Sequence, residues 1–201
     1  MTGKGIDLRK YIRDIPDWPE EGILFRDITP LLADTEAFAA AVEALSAGFV
    51  DAGIEYVAAV EARGFIFGSA VAEKIGAGFV PIRKLGKLPW KTESITYDLE
   101  YGTDTLEVHR DAFESGGRVA GVSPAVRGRT TLGTAGEHKG KAKVLMVDDL
   151  LATGGTMSAA CRLVEQTGGK VAGIVFLIEL AALRGREKIS DYETKSIISF
   201  D

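Results

Sequence analysis

A chain of 201 residues, 46% apolar and 26% charged, has the balance of a globular domain with one full-sized core. Its formal net charge of −5 excludes a general nucleic-acid binder, and no apolar run approaches the ~20 residues that cross a bilayer. The opening residues MTGKGIDLRK lack the apolar stretch of a secretory signal, and the lone Cys161 cannot close an internal disulfide. A cytoplasmic setting, with no membrane and no nucleic-acid partner, is the expectation.

Taken in chain order, the first periodic segment covers residues 34–51. Phe38, Val42, Leu45 and Phe49 recur at three- and four-residue steps, Asp34 or Thr35 caps the start and Gly53 ends the segment, which predicts an amphipathic helix. Tyr56-Val-Ala-Ala-Val60 predicts a buried strand, Glu61-Ala-Arg-Gly64 a turn, residues 65–75 a second helix, and Phe79-Val-Pro-Ile82 another strand. Further on, Val144-Leu-Met-Val147 reads as a strand, residues 158–166 as a helix and 171–178 as a long strand, with Gly168 and Gly169 breaking the chain between the last two. Alternating strands and helices define an α/β fold, a central mainly parallel sheet flanked by helices. Such sheets bind ligands at the carboxyl ends of their strands, which directs attention to residues 61–64 and 148–156.

The sharpest motif is Val147-Asp-Asp-Leu-Leu-Ala-Thr-Gly-Gly-Thr156. Two carboxylates end an apolar strand, and a small Gly-containing loop opens a helix whose N–H groups form an anion site. Acids beside a phosphate cradle repel the phosphate, so they suit a neutral group rich in donors, such as a ribose diol. No Gly-Lys-Ser/Thr follows, so this is not a nucleoside-triphosphate P-loop. Capping of the helix explains one Asp and leaves the pair and the Thr-Gly-Gly-Thr run unexplained.

The motif resembles the phosphoribosyl pyrophosphate (PRPP) loop of the type I phosphoribosyltransferases. By that resemblance Asp148 and Asp149 hold the ribose hydroxyls, and Ala152, Thr153, Gly154, Gly155 and Thr156 hold the 5-phosphate. Four further segments are similar to the adenine phosphoribosyltransferases: Gly22-Ile-Leu-Phe-Arg-Asp-Ile-Thr-Pro30, Glu61-Ala-Arg-Gly-Phe-Ile-Phe-Gly68, Arg83-Lys-Leu-Gly-Lys-Leu-Pro89 and Tyr97-Asp-Leu-Glu-Tyr-Gly102. The implied reaction joins adenine to PRPP and releases AMP and pyrophosphate. In this family the main chain at Leu24 and Arg26 reads the base, with Phe25 on one face of the ring and Leu180 on the other. A C=O and N–H pair there accepts adenine and rejects hypoxanthine, which presents the opposite pattern.

The resemblance further implies that Ala62 and Arg63 bind pyrophosphate, with a non-proline cis peptide at Ala62–Arg63. Arg83, Lys84 and Lys87 lie near the same group, one of them reaching in from a partner subunit of a homodimer. Residues 85–105 correspond to a mobile lid whose Glu100 handles the purine proton, and Mg2+ enters mainly on PRPP, with no metal ligand assigned to the protein. Together with Arg63 and Lys87, Mg2+ stabilises the leaving group while adenine N9 attacks an oxocarbenium-like ribose C1. The chain is expected to be one domain, with residues 1–33 forming a base-binding hood.

Residues 114–142 depart from the family, which has a short turn there; their Gly, Ser, Thr, Arg and Lys content predicts a disordered or surface loop. Arg118-Val-Ala-Gly-Val122 alternatively supplies the strand expected before the acids. His109 and His138 lack metal-ligand spacing, and Cys161 reads as a buried structural thiol. Two other readings stand beside the main one. One keeps the chemistry with another base, and the Leu24–Arg26 and 97–102 matches argue against it. The other is a PRPP-sensing regulator without catalysis, disfavoured by the acidic charge and by the retained lid.

Overall fold

The computed structural model describes residues 5–98, 102–113 and 140–201. It opens with a two-stranded antiparallel ribbon, β1 (Arg13–Ile15) and β2 (Phe25–Asp27), followed by α1 (Thr29–Ala33) and α2 (Thr35–Ser46). Then come β3 (Tyr56–Val60), α3 (Gly64–Ile75), β4 (Gly78–Lys84), β5 (Thr92–Asp98) and β6 (Thr103–His109). The chain closes with β7 (Ala142–Leu151), α4 (Gly155–Gln166), β8 (Gly169–Leu180) and β9 (Thr194–Phe200). Seven strands form one sheet in the order β5-β6-β4-β3-β7-β8-β9. From β4 to β9 all neighbours run parallel, while β6 is antiparallel to both β4 and β5.

Parallel strands covered on both faces bury nearly every side chain, and β7 shows this, with all four residues from Val144 to Val147 buried. Val144 and Met146 join Met157, Cys161 and Leu163 of α4 on one side. Leu145 and Val147 pack with Leu45 of α2 and Phe67 of α3 on the other. Because α3 and α4 lie on opposite faces, the loops that enter them, after β3 and β7, meet at the carboxyl edge of two adjacent strands.

Three expected boundaries shift. The helix predicted over residues 34–51 stops at Ser46: Asp34 caps it by accepting the Glu36 and Ala37 N–H groups, but Ala47 turns extended and Gly48 has φ +91°. Phe49 therefore packs from a turn, its ring 3.1 Å from where a Cβ on Gly173 would stand. The strand expected to end at Val147 continues to Leu151, because Asp148, Leu150 and Leu151 go on pairing with Phe176, Ile178 and Glu179 of β8. Both acids thus belong to the strand rather than to the loop. Finally, α4 begins at Gly155 rather than Ser158, since Gly154 sits in the left-handed region at φ +77° and turns the chain directly into the helix. The alternative strand at residues 118–122, and the insertion apart from 140–142, lie outside the described residues. No described helix is long and apolar enough to cross a membrane.

Candidate active site

The loops after β3 and β7 enclose a hollow of about 250 Å³. It is lined by Ala62, Arg63, Asp148, Asp149 and the run Ala152, Thr153, Gly154, Gly155 and Thr156, so two sequence-distant motifs share one cleft. The phosphate-loop portion is held by close packing. A Cβ on Gly154 would stand 2.2 Å from Gly185 O, and one on Gly185 would stand 2.2 Å from Ala152 O. Only glycines admit this approach. The turn bearing Gly185 is itself anchored by Arg186, whose Nε and Nη2 each donate to Glu179 at 2.7 Å. With no side chain at Gly154 or Gly155, the backbone N–H groups at the start of α4 are open to an anion.

The two acids differ in their surroundings. Asp148 folds back so that its Oδ1 accepts the Asp149 N–H at 2.9 Å. That oxygen lies 2.6 Å from where a Cβ on Gly64 would be, so the glycine opening α3 makes room for the carboxylate. Burial, and then the neighbouring Asp149 charge, push the Asp148 carboxyl well above the usual carboxylate range. Asp149 is 4% exposed and is also raised by burial, with Arg63 opposing the shift. Arg63 Nε stands 2.8 Å from Asp149 Oδ2 as an ion pair. The two are not aligned as a hydrogen bond, however, and Oδ2 has no hydrogen-bond donor among the described residues. It is a buried acceptor on a residue that lines the cleft, and such atoms ordinarily find a donor.

Arg63 also links the cleft to the N-terminal ribbon, its guanidinium 5.3 Å from the centre of the Phe25 ring. Trp18 meets Phe25 edge-on, with ring centroids 4.3 Å apart. Leu24, just before β2, is 44% exposed. The Arg26 side chain turns away, pairing with Asp14 and stacking 3.9 Å over Phe200. Leu180 ends β8 opposite Phe200 and packs against the core layer beside it. Asp27 holds the ribbon in place by accepting from Arg13 Nη2 at 2.7 Å and from the Thr29 N–H at 2.9 Å.

In the basic run, Arg83 Nε donates to Glu61 Oε2 and the Lys84 N–H to Glu61 Oε1, both at 2.9 Å. Burial alone would raise the Glu61 carboxyl, but these two bonds and the Arg83 charge hold it below its ordinary value. Lys84 Nζ pairs with Asp104 at 3.1 Å. The Lys87 and Leu88 N–H groups both donate at 2.9 Å to the buried Glu107, which fixes the turn before β5. Arg83 and Lys84 are thus committed to acids, while the Lys87 side chain is free of ion pairs among the described residues.

The non-proline cis peptide lies at Glu61–Ala62, one bond before the expected Ala62–Arg63. Glu61 N–H still pairs with Ile82 O, so the chain reverses immediately after the last strand-like residue. Glu100 lies outside the described residues. Residues whose part was not read from sequence are Trp18, Glu61 and the Gly185 turn. The Trp-Pro before Gly22 is the one local signal for the first, and the other two act through contacts distant in sequence.

The phosphoribosyl transferase domain family matches residues 31–201, a span that includes both loops of this cleft. The adenine phosphoribosyltransferase of Pseudothermotoga lettingae is 48% identical over 195 residues, covering 97% of this chain and 100% of that protein. The crystal structure of adenine phosphoribosyltransferase from Thermoanaerobacter pseudethanolicus matches with a TM-score of 0.80 at 44% identity, covering 96% of this chain and 98% of that one. The Saccharomyces cerevisiae adenine phosphoribosyltransferase, complexed with D-2,5-dideoxy-2,5-imino-altritol 1,6-bisphosphate and adenine, matches with a TM-score of 0.76 at 32% identity over 94% of this chain and 96% of that one. The chain belongs to the adenine phosphoribosyltransferase family.

Proposed function

We propose that the cleft between the β3–α3 and β7–α4 loops binds PRPP, and that the chain transfers its 5-phosphoribosyl group to adenine in purine salvage. The reaction is that of the family, giving AMP and pyrophosphate. The observation that carries the assignment to this cleft is the buried Asp149 Oδ2, an acceptor without an aligned donor beside a backbone cradle for anions. A ribose hydroxyl supplies the donor, and the 5-phosphate takes the N–H groups at the start of α4 and the hydroxyls of Thr153 and Thr156. Asp148 takes the second hydroxyl. Ala62 and Arg63 face the pyrophosphate, with Lys87 the unpaired cation of the basic run beside Arg83 and Lys84.

Adenine lies against Phe25, read by the main chain at Leu24 and Arg26, with Leu180 on its far face. As the C1–pyrophosphate bond breaks and the N9–C1 bond forms, Arg63 and Lys87 stabilise the departing charge. Glu100, outside the described residues, takes the imidazole proton in this reading. Among the described residues no three His, Cys, Asp or Glu side chains converge. The oxygens of PRPP itself suit a hard cation that arrives mainly on the substrate. Mg2+ held so neutralises pyrophosphate charge.

A homodimer is part of the reading, supported by Leu85 and Trp90, which are 65% and 59% exposed on either side of the turn that carries Lys87. A purely monomeric species in sedimentation would remove it. A cytoplasmic location is supported by the lone thiol. The direct test is an assay with PRPP, Mg2+ and each purine base. AMP from adenine, with far slower reaction of hypoxanthine and guanine, is the expected result. Product from another base would overturn the adenine assignment, and tight PRPP binding without any product would overturn catalysis.

A further inference from the structure

The outer strand β5 has a single buried residue, Tyr97, which is 7% exposed. A buried tyrosine hydroxyl needs a partner. Here the partner is Thr156 Oγ1 at 3.2 Å, on the second residue of α4 and within the glycine cradle. The next residue touches the cradle as well, since Asp98 O lies 3.7 Å from where a Cβ on Gly155 would stand. Two consecutive residues of the hairpin β5–β6 therefore sit on two consecutive residues of the anion site. Directly opposite Tyr97 in the hairpin register is Asp104, which Lys84 engages at 3.1 Å. A chain of polar contacts thus runs from the basic run, through the hairpin, to the cradle.

Donor counting sets its direction. A threonine hydroxyl has one proton, and a phosphate is a pure acceptor. Once Thr156 donates to a bound phosphate, its oxygen is left to accept and Tyr97 is the hydroxyl beside it, while Asp104, the other acceptor at the Tyr97 phenol, is held by Lys84 Nζ. Burial raises the Tyr97 phenol above its ordinary value, which keeps that proton in place at neutral pH.

We propose that Tyr97 is a positioning residue for the 5-phosphate: its hydroxyl donates to Thr156 Oγ1, aims the Thr156 proton into the cradle and ties the β5–β6 hairpin to an occupied site. This rests on the reading of residues 152–156 as the 5-phosphate cradle.

The test is calorimetric binding of AMP, of PRPP with Mg2+ and of pyrophosphate with Mg2+ to the full chain, with melting curves to verify folding. Tyr97→Phe keeps the buried ring. It is expected to weaken AMP and PRPP by about threefold to tenfold, the worth of one hydrogen bond, while pyrophosphate is unchanged. The KM for PRPP rises with little change in kcat. In a Thr156→Val background the Tyr97→Phe loss disappears, and in a Thr156→Ser background, which keeps the hydroxyl, it returns. Equal weakening of pyrophosphate, or a Tyr97→Phe loss that persists beside Thr156→Val, overturns the proposal. A parent chain that binds neither AMP nor PRPP overturns the functional reading beneath it, which separates the two failures.

Discussion

Asp148 and Asp149 stand next to each other in a strand, yet their environments give them different work. Asp149 is partnered by Arg63, and its buried Oδ2 still has no aligned donor among the described residues. Asp149→Asn keeps the shape, removes the charge and leaves Arg63 unpaired. PRPP binding should weaken by about tenfold to a hundredfold, the loss of a charge-assisted hydrogen bond, and an unchanged dissociation constant in calorimetry would detach Asp149 from the diol. Asp148 instead imposes a cost on the fold. Its carboxyl is raised above its unfolded value, so folding takes up a proton, and stability falls as pH rises from the ordinary carboxylate range through the raised folded value. Asp148→Asn retains an acceptor for the Asp149 N–H and removes the buried like charge. It should melt about 2–4 °C higher at pH 7, the shift expected of a 1 kcal/mol change, while losing activity. The gain should shrink towards pH 4, where folded and unfolded carboxyls are both becoming neutral. A gain independent of pH would assign it to something other than this charge.

At the scale of elements, the cradle is a contact between two turns rather than a property of one loop. Gly154, at φ +77°, lies against the Gly185 turn, and the Arg186–Glu179 pair fixes that turn to the end of β8. Gly154→Ala meets both a disfavoured backbone region and a carbonyl oxygen 2.2 Å from the new carbon. The turns must separate, so PRPP binding should fall by tenfold or more, on the order of 1–3 kcal/mol of strain, with a lowered melting temperature. An alanine variant that binds PRPP normally would show that the cradle does not need the Gly185 contact. In the β5–β6 hairpin, β6 packs Leu106 and Val108 into the core, while the one buried residue of β5 is Tyr97, whose hydroxyl meets Thr156.

Across the molecule, the parallel arrangement places both loops at one edge, and the two core layers leave no freedom at that edge. Cys161 lies fully buried in the α4 layer, and burial pushes its thiol up to about 12. A thiol reagent at pH 8 should leave the native enzyme unlabelled and react once denaturant unfolds it. Rapid labelling of native protein would mean that α4 opens readily, and with it the cradle that α4 begins.

How much of this the chain states by itself follows from the range of each interaction. Helix caps, apolar strands and glycine turns act within a few residues, so Asp34 as a cap, β3 and the glycine turn that opens α4 were legible directly. Boundaries were less so. The strand extends to Leu151 because β8 offers partners, and the first helix ends early because Ala47 and Gly48 leave helical space, which hydrophobic spacing does not encode. The pairing of Arg63 with Asp149 and Phe25, the edge contact of Trp18, the closure of Gly154 on Gly185 and the bond from Tyr97 to Thr156 join residues 7 to 86 positions apart. Local sequence determined the chemistry available at each strand end. The tertiary structure alone decided which of those groups meet, because a charge or hydroxyl acquires its partner only when the sheet sets its strands side by side.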